Sequence, residues 1–275
     1  MNSRTIFLTG ASTGIGLETA RLLTSRGFEV WGTSRDSSRL PQLPGFHPVQ
    51  MDLLRPDSIR AGFATAQKEA GAFNVLINNA GAATFGPLDV TSAELVREQF
   101  QLLVDAPLEL IRLALPHMRE RQRGTIINVT SLAALLPVPF MAPYSAAKAA
   151  LSLATQGLRI ELANTPIRIV EIRPGDINTA FHKATKKVAA DSSIHKSQIT
   201  DHNRIAAAWE TQARNMAAAP PAARVANAIL RVIENPRPPA VVTVGGFFQA
   251  RIAPLAARFL PPRLLEFGLR QYYRI

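Results

Sequence analysis

The sequence predicts an α/β fold in which helices cover both faces of one doubly wound parallel sheet. Short runs rich in Val, Ile and Leu alternate with longer helical patterns along the chain. The apolar runs are mostly continuous rather than alternating, as expected of parallel strands that are buried on both faces. A length of 275 residues, of which 47% are hydrophobic, is long for one core and short for two. We therefore expect one large domain.

Seven strands and five helices are predicted from these patterns. The strands are placed at residues 5–9, 30–34, 49–52, 75–79, 125–130, 167–173 and 241–245. The helices are placed at residues 15–26, 57–70, 92–121, 145–163 and 222–234, and Thr91-x-x-Glu94 forms a candidate capping box for the third of them. Each strand–helix–strand unit implies a right-handed crossover.

Two segments depart from the alternation. Residues 179–221 are polar and alanine-rich and follow the sixth strand, on the side of such sheets where ligands bind, so we expect a substrate lid there. Residues 247–275 mix Phe, Leu and Tyr with five arginines. This C-terminal extension follows a main domain of residues 1–246 and is expected to pack on its own domain or on a partner subunit. The alternative is a helix that lies on a membrane surface.

Composition limits the classes of function. The chain has no cysteine, which excludes disulfides and thiolate sites, and its five histidines show no metal-ligand pairing, so we expect no metal. The formal net charge of +11 suits an anionic partner, but no basic–aromatic stretch indicates nucleic acid. The start of the chain has no long apolar signal segment, and no apolar run approaches the roughly 20 residues that span a bilayer. A cytoplasmic protein is favoured, with peripheral membrane contact as the alternative.

A glycine-rich loop follows the first predicted strand. Residues 9–16 read T-G-A-S-T-G-I-G and lead into the first predicted helix. Glycines permit a tight turn and a close approach of the backbone to a pyrophosphate, and the helix N-terminus contributes free N–H groups. The position of the loop in an alternating pattern predicts a dinucleotide site. Asp52 and the N-N-A-G stretch at residues 78–81 follow the next strand ends and would continue the cofactor path.

The end of the second strand bears on the choice of cofactor. Folds that select NAD usually place an acid there for the ribose hydroxyls, whereas this chain has Ser34 followed by Arg35. Because a guanidinium can pair with a 2′-phosphate, NADP(H) is favoured over NAD(H). The adjacent Asp36 weakens this inference, and Arg39 offsets it.

A tyrosine and a lysine are spaced for acid–base chemistry at the start of the fourth predicted helix. Tyr144 and Lys148 are separated by four positions and therefore share one helical face. An unperturbed phenol has a pKa of about 10, too high for a general base at neutral pH. The ammonium, helped by an oxidised nicotinamide, is expected to lower that pKa. Ser131 ends the preceding strand and could polarise a substrate oxygen, with Thr130 and Ser145 as alternative candidates.

Together these motifs resemble those of the short-chain dehydrogenase/reductase family. The glycine loop, N-N-A-G, Ser131, Tyr144-x-x-x-Lys148 and an R-P-G stretch at residues 173–175 occur in the family's order. The resemblance covers about residues 1–180 and a last helix and strand up to about residue 245. It implies a single seven-stranded Rossmann-like domain that assembles as a homodimer or homotetramer. It also implies hydride transfer between a nicotinamide cofactor and a carbonyl or alcohol group.

The resemblance implies roles for single residues. Tyr144 would be the proton donor or acceptor, Lys148 would hold the nicotinamide ribose and lower the pKa of the tyrosine, and Ser131 would orient the substrate. Together with Ser34 and Arg35, the residues expected to line the cofactor path are Gly10, Ser12, Thr13, Gly14, Ile15, Gly16, Asp52, Leu53, Asn79, Ala80, Gly81, Tyr144, Lys148, Pro174, Gly175, Ile177 and Thr179.

One position departs from the family's pattern. Members usually carry an asparagine within a stretch like Q-F-x-x-N-x-x-G-P, and residues 99–107 place Leu103 at that position. The asparagine is thought to hold a water for proton relay from the lysine, which a leucine cannot do. Three consequences stay open: a relay through other groups such as Gln101 or Asp105, slow turnover, or cofactor binding without turnover.

The sequence therefore predicts an NADP-dependent oxidoreductase acting on the carbonyl or secondary alcohol of a small hydrophobic substrate. The uncharged stretch at residues 132–141 is expected to form an apolar wall of the substrate site. The alternative is a nucleotide-binding sensor or scaffold with weak or no turnover. Leu103 favours that alternative, and the intact Ser131, Tyr144 and Lys148 oppose it.

Overall fold

A seven-stranded parallel sheet forms the centre of the protein in a computed structural model that describes residues 5–188 and 202–275. Its strands are β1 (Thr5–Leu8), β2 (Glu29–Ser34), β3 (Phe46–Gln50), β4 (Val75–Asn78), β6 (Gly124–Val129), β7 (Ile167–Pro174) and β9 (Val241–Val244). They lie in the order β3-β2-β1-β4-β6-β7-β9, which confirms the doubly wound, Rossmann-like sheet. Two short strands, β5 (Thr84–Phe85) and β8 (Lys186–Lys187), pair separately beside it.

The helices surround this sheet and extend beyond it at the C-terminus. They are α1 (Gly14–Ser25), α2 (Pro56–Ala70), α3 (Ala93–Phe100), α4 (Ala106–Glu120), α5 (Ala142–Glu161), α6 (Phe181–Ala184), α7 (His202–Ala217), α8 (Ala223–Glu234), α9 (Ala253–Phe259) and α10 (Pro262–Tyr273). The predicted lid contains α6 and α7, and its residues 189–201 lie outside the described residues. In the described part of the chain, no helix combines the length and the apolar character that crossing a bilayer requires.

The third strand was predicted three residues too late. The structure places it at Phe46–Gln50 rather than at 49–52, because Pro48 interrupts the apolar pattern without interrupting the strand. Proline lacks the N–H that a central strand would need. β3 is an edge strand that pairs only with β2, with Pro48 opposite Gly32, so the missing donor is tolerated.

The long helix predicted at residues 92–121 is divided by a π turn. Residues Gln101–Asp105 form this turn between α3 and α4. The predicted capping box is wrong, because the N-cap of α3 is Ser92, whose hydroxyl accepts from the Leu95 N–H at 3.3 Å. The Thr91 hydroxyl instead donates to the Pro87 carbonyl at 2.7 Å.

Two apolar cores lie on the two faces of the sheet. On one face, α1 and α8 pack against strand side chains such as Ile6 and Leu8. On the other face, α2 and α4 pack against Phe7 and Leu76. Because successive strand residues point to opposite faces, the continuous apolar runs of the sequence supply both cores. The carboxyl ends of β1, β4, β6 and β7 therefore meet along one edge, where ligands bind in such sheets.

Candidate active site

One large cavity of about 1030 Å³ follows the carboxyl edge of the sheet. Every residue that the sequence assigned to the site lines it, including Ser34 and Arg35 at one end and Tyr144 and Thr179 further along. The wall predicted between Ser131 and Tyr144 contributes Leu132, Ala133, Leu136, Val138 and Met141 to the lining. The described residues contain no cluster of His, Asp or Glu side chains suited to a metal ion.

The glycine loop between β1 and α1 is packed too closely for side chains. Gly10 has a φ of +72°, and a Cβ there would lie 2.8 Å from the Cα of Ala80. A Cβ on Gly16 would overlap the Gly10 carbonyl oxygen and lie 2.6 Å from Nδ2 of Asn79. Asn79 braces the loop by donating to the Thr9 carbonyl at 2.9 Å. The N-cap of α1, Thr13, makes no side-chain cap bond. The backbone N–H groups of this helix end thus border a cradle that fits a pyrophosphate.

The far end of the cavity carries two arginines. Arg35 and Arg39 both line it, beside Ser34 and Asp52. The carboxylate of Asp36 accepts from the Ser38 N–H at 3.0 Å and from the Ser38 hydroxyl at 2.6 Å, and these two bonds lower its pKa. The acid that weakened the sequence inference is therefore engaged in a local turn. The two guanidinium groups have no ion-pair partner among the described residues.

The structure brings Ser131, Tyr144 and Lys148 together. Ser131 follows β6, and its hydroxyl accepts from the Ala133 N–H at 3.1 Å and lies close enough to the phenol of Tyr144 to lower its pKa. The Nζ of Lys148 lies 5.9 Å from the centroid of the Tyr144 ring and donates to the Val129 carbonyl at 2.9 Å. Tyr144 and Lys148 are both buried.

The two alternative hydroxyls have other partners. Thr130 donates to Oε1 of Glu171 at 2.6 Å, and Ser145 accepts from the Val138 N–H at 3.2 Å. Ser131 is therefore the hydroxyl that faces the phenol.

Burial dominates the titration of both catalytic candidates. Desolvation raises the pKa of Tyr144 to about 12, against the lowering effect of the Ser131 hydrogen bond. Desolvation also lowers the pKa of Lys148 to about 8, although the carboxylate of Glu171 raises it. The expectation that the ammonium, helped by an oxidised nicotinamide, lowers the phenol's pKa concerns the cofactor-bound site and stays a prediction. In this buried site the cost of desolvating a phenolate outweighs the attraction of a cation at this distance.

A buried ionic network lies beneath Lys148 and was not found from the sequence. Glu171 is fully buried in β7 and pairs with Arg173, whose Nη2 lies 2.9 Å from Oε2. Ser152 donates to the same carboxylate at 3.0 Å. A buried carboxylate needs such partners to stay charged. The R-P-G stretch contributes its arginine to this network, while Pro174 and Gly175 line the cavity.

Leu103 lies in the π turn, against the site. It is 1% exposed and packs in an apolar cluster with Tyr144 and Ala147. The position of a Cβ on Gly81 would be 3.5 Å from Leu103 and 3.8 Å from the Nζ of Lys148, so the leucine borders the lysine. The two proposed substitutes for a relay lie elsewhere, since Gln101 donates to the Leu53 carbonyl at 3.2 Å and Asp105 is exposed.

The C-terminal extension covers the substrate end of the cavity. Gln249 donates to Oδ2 of Asp176 at 2.5 Å and accepts from its N–H at 2.9 Å. Tyr272 of α10 accepts a hydrogen bond from Asn215 of the lid at 2.9 Å. These contacts place part of the tail against its own domain, which is one of the arrangements that the sequence favoured. Sequence reasoning did not assign Asp176 or Gln249 to the site, since no motif marks either residue.

Comparisons with known proteins place these features in a family. Residues 4–189 match the family model for short chain dehydrogenases. A 3-ketodihydrosphingosine reductase from Bacteroides thetaiotaomicron is 29% identical over 275 residues, which is 100% of both chains. A short-chain dehydrogenase/reductase from Burkholderia phymatum, solved with NAD, has a TM-score of 0.79 at 22% identity and covers 98% of this chain and 95% of its own. A Burkholderia cenocepacia short chain dehydrogenase solved with NADP has a TM-score of 0.68 at 25% identity, covering 94% and 98%. The chain belongs to the short-chain dehydrogenase/reductase family of oxidoreductases.

Proposed function

We propose that the protein uses NADPH to reduce a ketone on a long-chain lipid that carries an ammonium group next to the ketone. The observation that carries this proposal is Asp176, a largely buried carboxyl group that lines the same cavity as Tyr144. It has no cationic partner among residues 5–188 and 202–275. A buried carboxylate without a cation is costly, so a cationic ligand is the partner that this position favours.

The hydrogen bonds of Asp176 leave one oxygen for a ligand. Gln249 and Tyr272 both contact Oδ2, at 2.5 Å and 3.5 Å. Oδ1 accepts no hydrogen bond from the described residues. Burial raises the pKa of Asp176, and the two hydrogen bonds oppose that rise. An ammonium at Oδ1 would lower the pKa again and hold the carboxyl group ionised.

A second acceptor supports the same ligand. Gln212 of α7 lines the cavity, and its Nε2 lies 3.1 Å from the sulfur of Met141. Its Oε1 is buried and has no partner among the described residues. An unpaired buried amide oxygen is unfavourable. An N–H or O–H donor on the substrate would satisfy it.

The rest of the substrate end suits a long alkyl chain. Apolar side chains from the lid, from the connection between α9 and α10 and from α10 itself line it, namely Phe181, Met216, Leu260, Leu264, Leu265 and Leu269. The relative from Bacteroides thetaiotaomicron, which matches over the full length of both chains, is named for 3-ketodihydrosphingosine. That compound joins a long alkyl chain to a ketone and a neighbouring amine, which is the combination that this cavity favours.

The residues of the chain suit reduction. When bound, the reduced cofactor supplies the hydride that adds to the carbonyl carbon. Because its pKa is raised to about 12, Tyr144 is protonated at neutral pH and can donate its proton to the carbonyl oxygen. The hydroxyl of Ser131 lies beside the phenol of Tyr144. It can donate a hydrogen bond to the carbonyl oxygen of the substrate as negative charge develops on that oxygen. The Nζ of Lys148 lies 5.9 Å from the centroid of the ring that proton donation leaves as a phenolate.

Two further expectations are part of the proposal. The guanidinium groups of Arg35 and Arg39, which form no ion pair within the described residues, support NADP(H) rather than NAD(H), because they would face a 2′-phosphate. Leu153 and Ile160 of α5 are 70% and 79% exposed, which supports association of copies of the chain through that helix.

The test compares two ketones and two variants. Oxidation of NADPH is followed by absorbance with 3-ketodihydrosphingosine and with the matching long-chain ketone that lacks the amine. A charged hydrogen bond contributes about 1.5–3 kcal/mol, so Asp176→Asn should lower kcat/KM for the amino ketone roughly 10- to 100-fold. The same variant should change kcat/KM for the amine-free ketone less than threefold. Tyr144→Phe should abolish turnover of both.

Each part of the proposal can fail separately. An equal loss with both ketones in Asp176→Asn would refute ammonium recognition and leave the reductase in place. If the wild-type protein binds NADPH but oxidises it with neither ketone, the sensor that Leu103 favours becomes the better description. Turnover that survives in Tyr144→Phe would refute the assignment of the proton donor.

A further inference from the structure

Exposed apolar side chains are concentrated on the C-terminal extension. Of the twelve large hydrophobic residues that are exposed in residues 5–188 and 202–275, nine fall between residues 247 and 272. Phe247, Phe259 and Phe267 are 78%, 72% and 62% exposed. Soluble proteins rarely leave such a concentration of large apolar side chains in water unless it binds something.

The helix α10 has two apolar faces. Leu265, Leu269 and Tyr273 recur every four residues, are half-buried and line the cavity. Phe267 is exposed and does not line the cavity, whereas Leu264 is exposed at the edge of the cavity lining. The cavity explains the inner face, and Phe267 belongs to an outer apolar face that the cavity does not explain.

Positive charge surrounds this surface. Residues 247–275 contain five arginines and one acid, Glu266, and all five arginines are exposed. Arg258 lies over the ring of Phe259 at 5.5 Å from its centroid. Two copies of this surface facing each other would bring their arginines together, so self-association here is disfavoured by charge. An anionic layer with an apolar interior matches both properties.

The exposed surface is continuous with the cavity. Leu260 and Leu264 are both exposed and among the residues that line the cavity, as are Phe248 and Tyr272. The mouth of the cavity therefore opens at the apolar surface. An alkyl chain could pass from a lipid layer to Tyr144 without crossing water.

We propose that α9 and α10 dock on the surface of an anionic lipid bilayer, with Phe259 and Phe267 inserted at the interface and the arginines on lipid phosphates. This orientation places the mouth of the cavity against the membrane. The docking itself does not depend on the proposed reductase activity, because it rests on the exposed side chains and their charge. If the substrate is a membrane lipid, docking also explains how it enters the cavity.

Vesicle co-sedimentation of the full chain tests this proposal. One set of vesicles contains phosphatidylcholine with about 30% phosphatidylglycerol, and the other contains phosphatidylcholine alone. The two sets differ in negative surface charge, which attracts basic segments. We expect binding to the anionic vesicles and at least tenfold weaker binding to the neutral ones. Phe259→Ser combined with Phe267→Ser should weaken binding at least tenfold, and Arg258→Glu combined with Arg263→Glu should do the same. Leu88→Ser removes one exposed apolar side chain from another part of the surface and should bind as the wild type does.

The outcomes separate the alternatives. Absence of binding to anionic vesicles, or an equal loss with Leu88→Ser, would overturn the proposal. The surface would instead be an interface between copies of the chain if the wild type does not sediment with vesicles and the double Phe variant changes from dimer to monomer. Light scattering measures that change, and this result would also overturn the proposal. Circular dichroism of each variant confirms that it is folded. A protein that binds vesicles but reduces no ketone would refute the proposed function and leave the docking surface intact.

Discussion

The buried ammonium of Lys148 gives a quantitative test of the site. Lys148 is 4% exposed and lies beside Tyr144 and above the carboxylate of Glu171. Burial lowers its pKa from 10.5 to about 8. The folded protein therefore holds its proton less tightly than the unfolded chain does. That difference corresponds to roughly 3 kcal/mol of destabilisation at pH 7, where both states are protonated.

The sign of the pH dependence follows from this difference. Between pH 8 and 10.5 the unfolded chain binds a proton that the folded protein has released, so stability rises with pH. For a folded pKa of about 8, the gain from pH 7 to pH 9 is about 1 kcal/mol. Lys148→Met removes the titrating group. The unfolding free energy of the wild type, minus that of the variant, should therefore increase by about 1 kcal/mol over this range.

Urea denaturation of the protein freed of nucleotide measures this difference. Both proteins are unfolded in the same buffers at pH 7, 8 and 9, so changes in packing and the lost hydrogen bond to Val129 cancel in the comparison across pH. Lys68→Met, which changes an exposed lysine of α2, is the control and should show no such trend. A difference that stays constant with pH, or falls, would show that the ammonium is not desolvated in the folded protein.

Three further substitutions test other parts of the site. Leu103→Asn should not lower the turnover of NADPH with ketone, because it would add a polar group beside Lys148; a large loss would show that the leucine has a role of its own. Gly16→Ala should lower the affinity for NADPH, measured by titration calorimetry, at least 100-fold, because its methyl group would overlap the Gly10 carbonyl. The control is Gly157→Ala, whose methyl group meets no atom within 4 Å and which should bind NADPH as the wild type does. Arg35→Ala should lower the affinity for NADPH about tenfold or more and leave that for NADH within threefold; an equal loss for both cofactors would contradict the 2′-phosphate assignment.

Much of the fold follows from local pattern. Continuous apolar runs predicted the bounds of six strands to within one or two residues, because in these strands the apolar residues are also the ones that pair with neighbouring strands. β3 was misplaced because Pro48 interrupts the apolar pattern without interrupting this edge strand. The helix at residues 92–121 was predicted as one regular element, since a π turn changes the ladder of hydrogen bonds without leaving a mark in composition. The helices α7, α9 and α10 were not predicted, because the segments that contain them break the alternation of strand and helix patterns.

The site was predictable where a motif fixes the geometry. Tyr144 and Lys148 share a helix, and the glycine loop is contiguous, so their neighbours follow from spacing. The pKa of Tyr144 was not predictable, because its desolvation depends on side chains from distant segments. Asp176 escaped notice for a similar reason, since its partner Gln249 lies 73 residues away.

The π turn has a consequence for how this region can vary. It adds one residue to a helix that would otherwise continue regularly, so side chains before and after it are rotated by about 100° relative to an unbroken α-helix. Gln99, which precedes the turn, donates to the Ala82 carbonyl and accepts from the Thr84 N–H. Leu110, which follows the turn, is an anchor of a different kind because it is buried in the apolar core. Deleting any single residue from Gln101–Asp105 would restore ideal helical geometry and turn one of these two anchors toward solvent. A segment that reads as ordinary helix should therefore tolerate substitutions far better than changes in length.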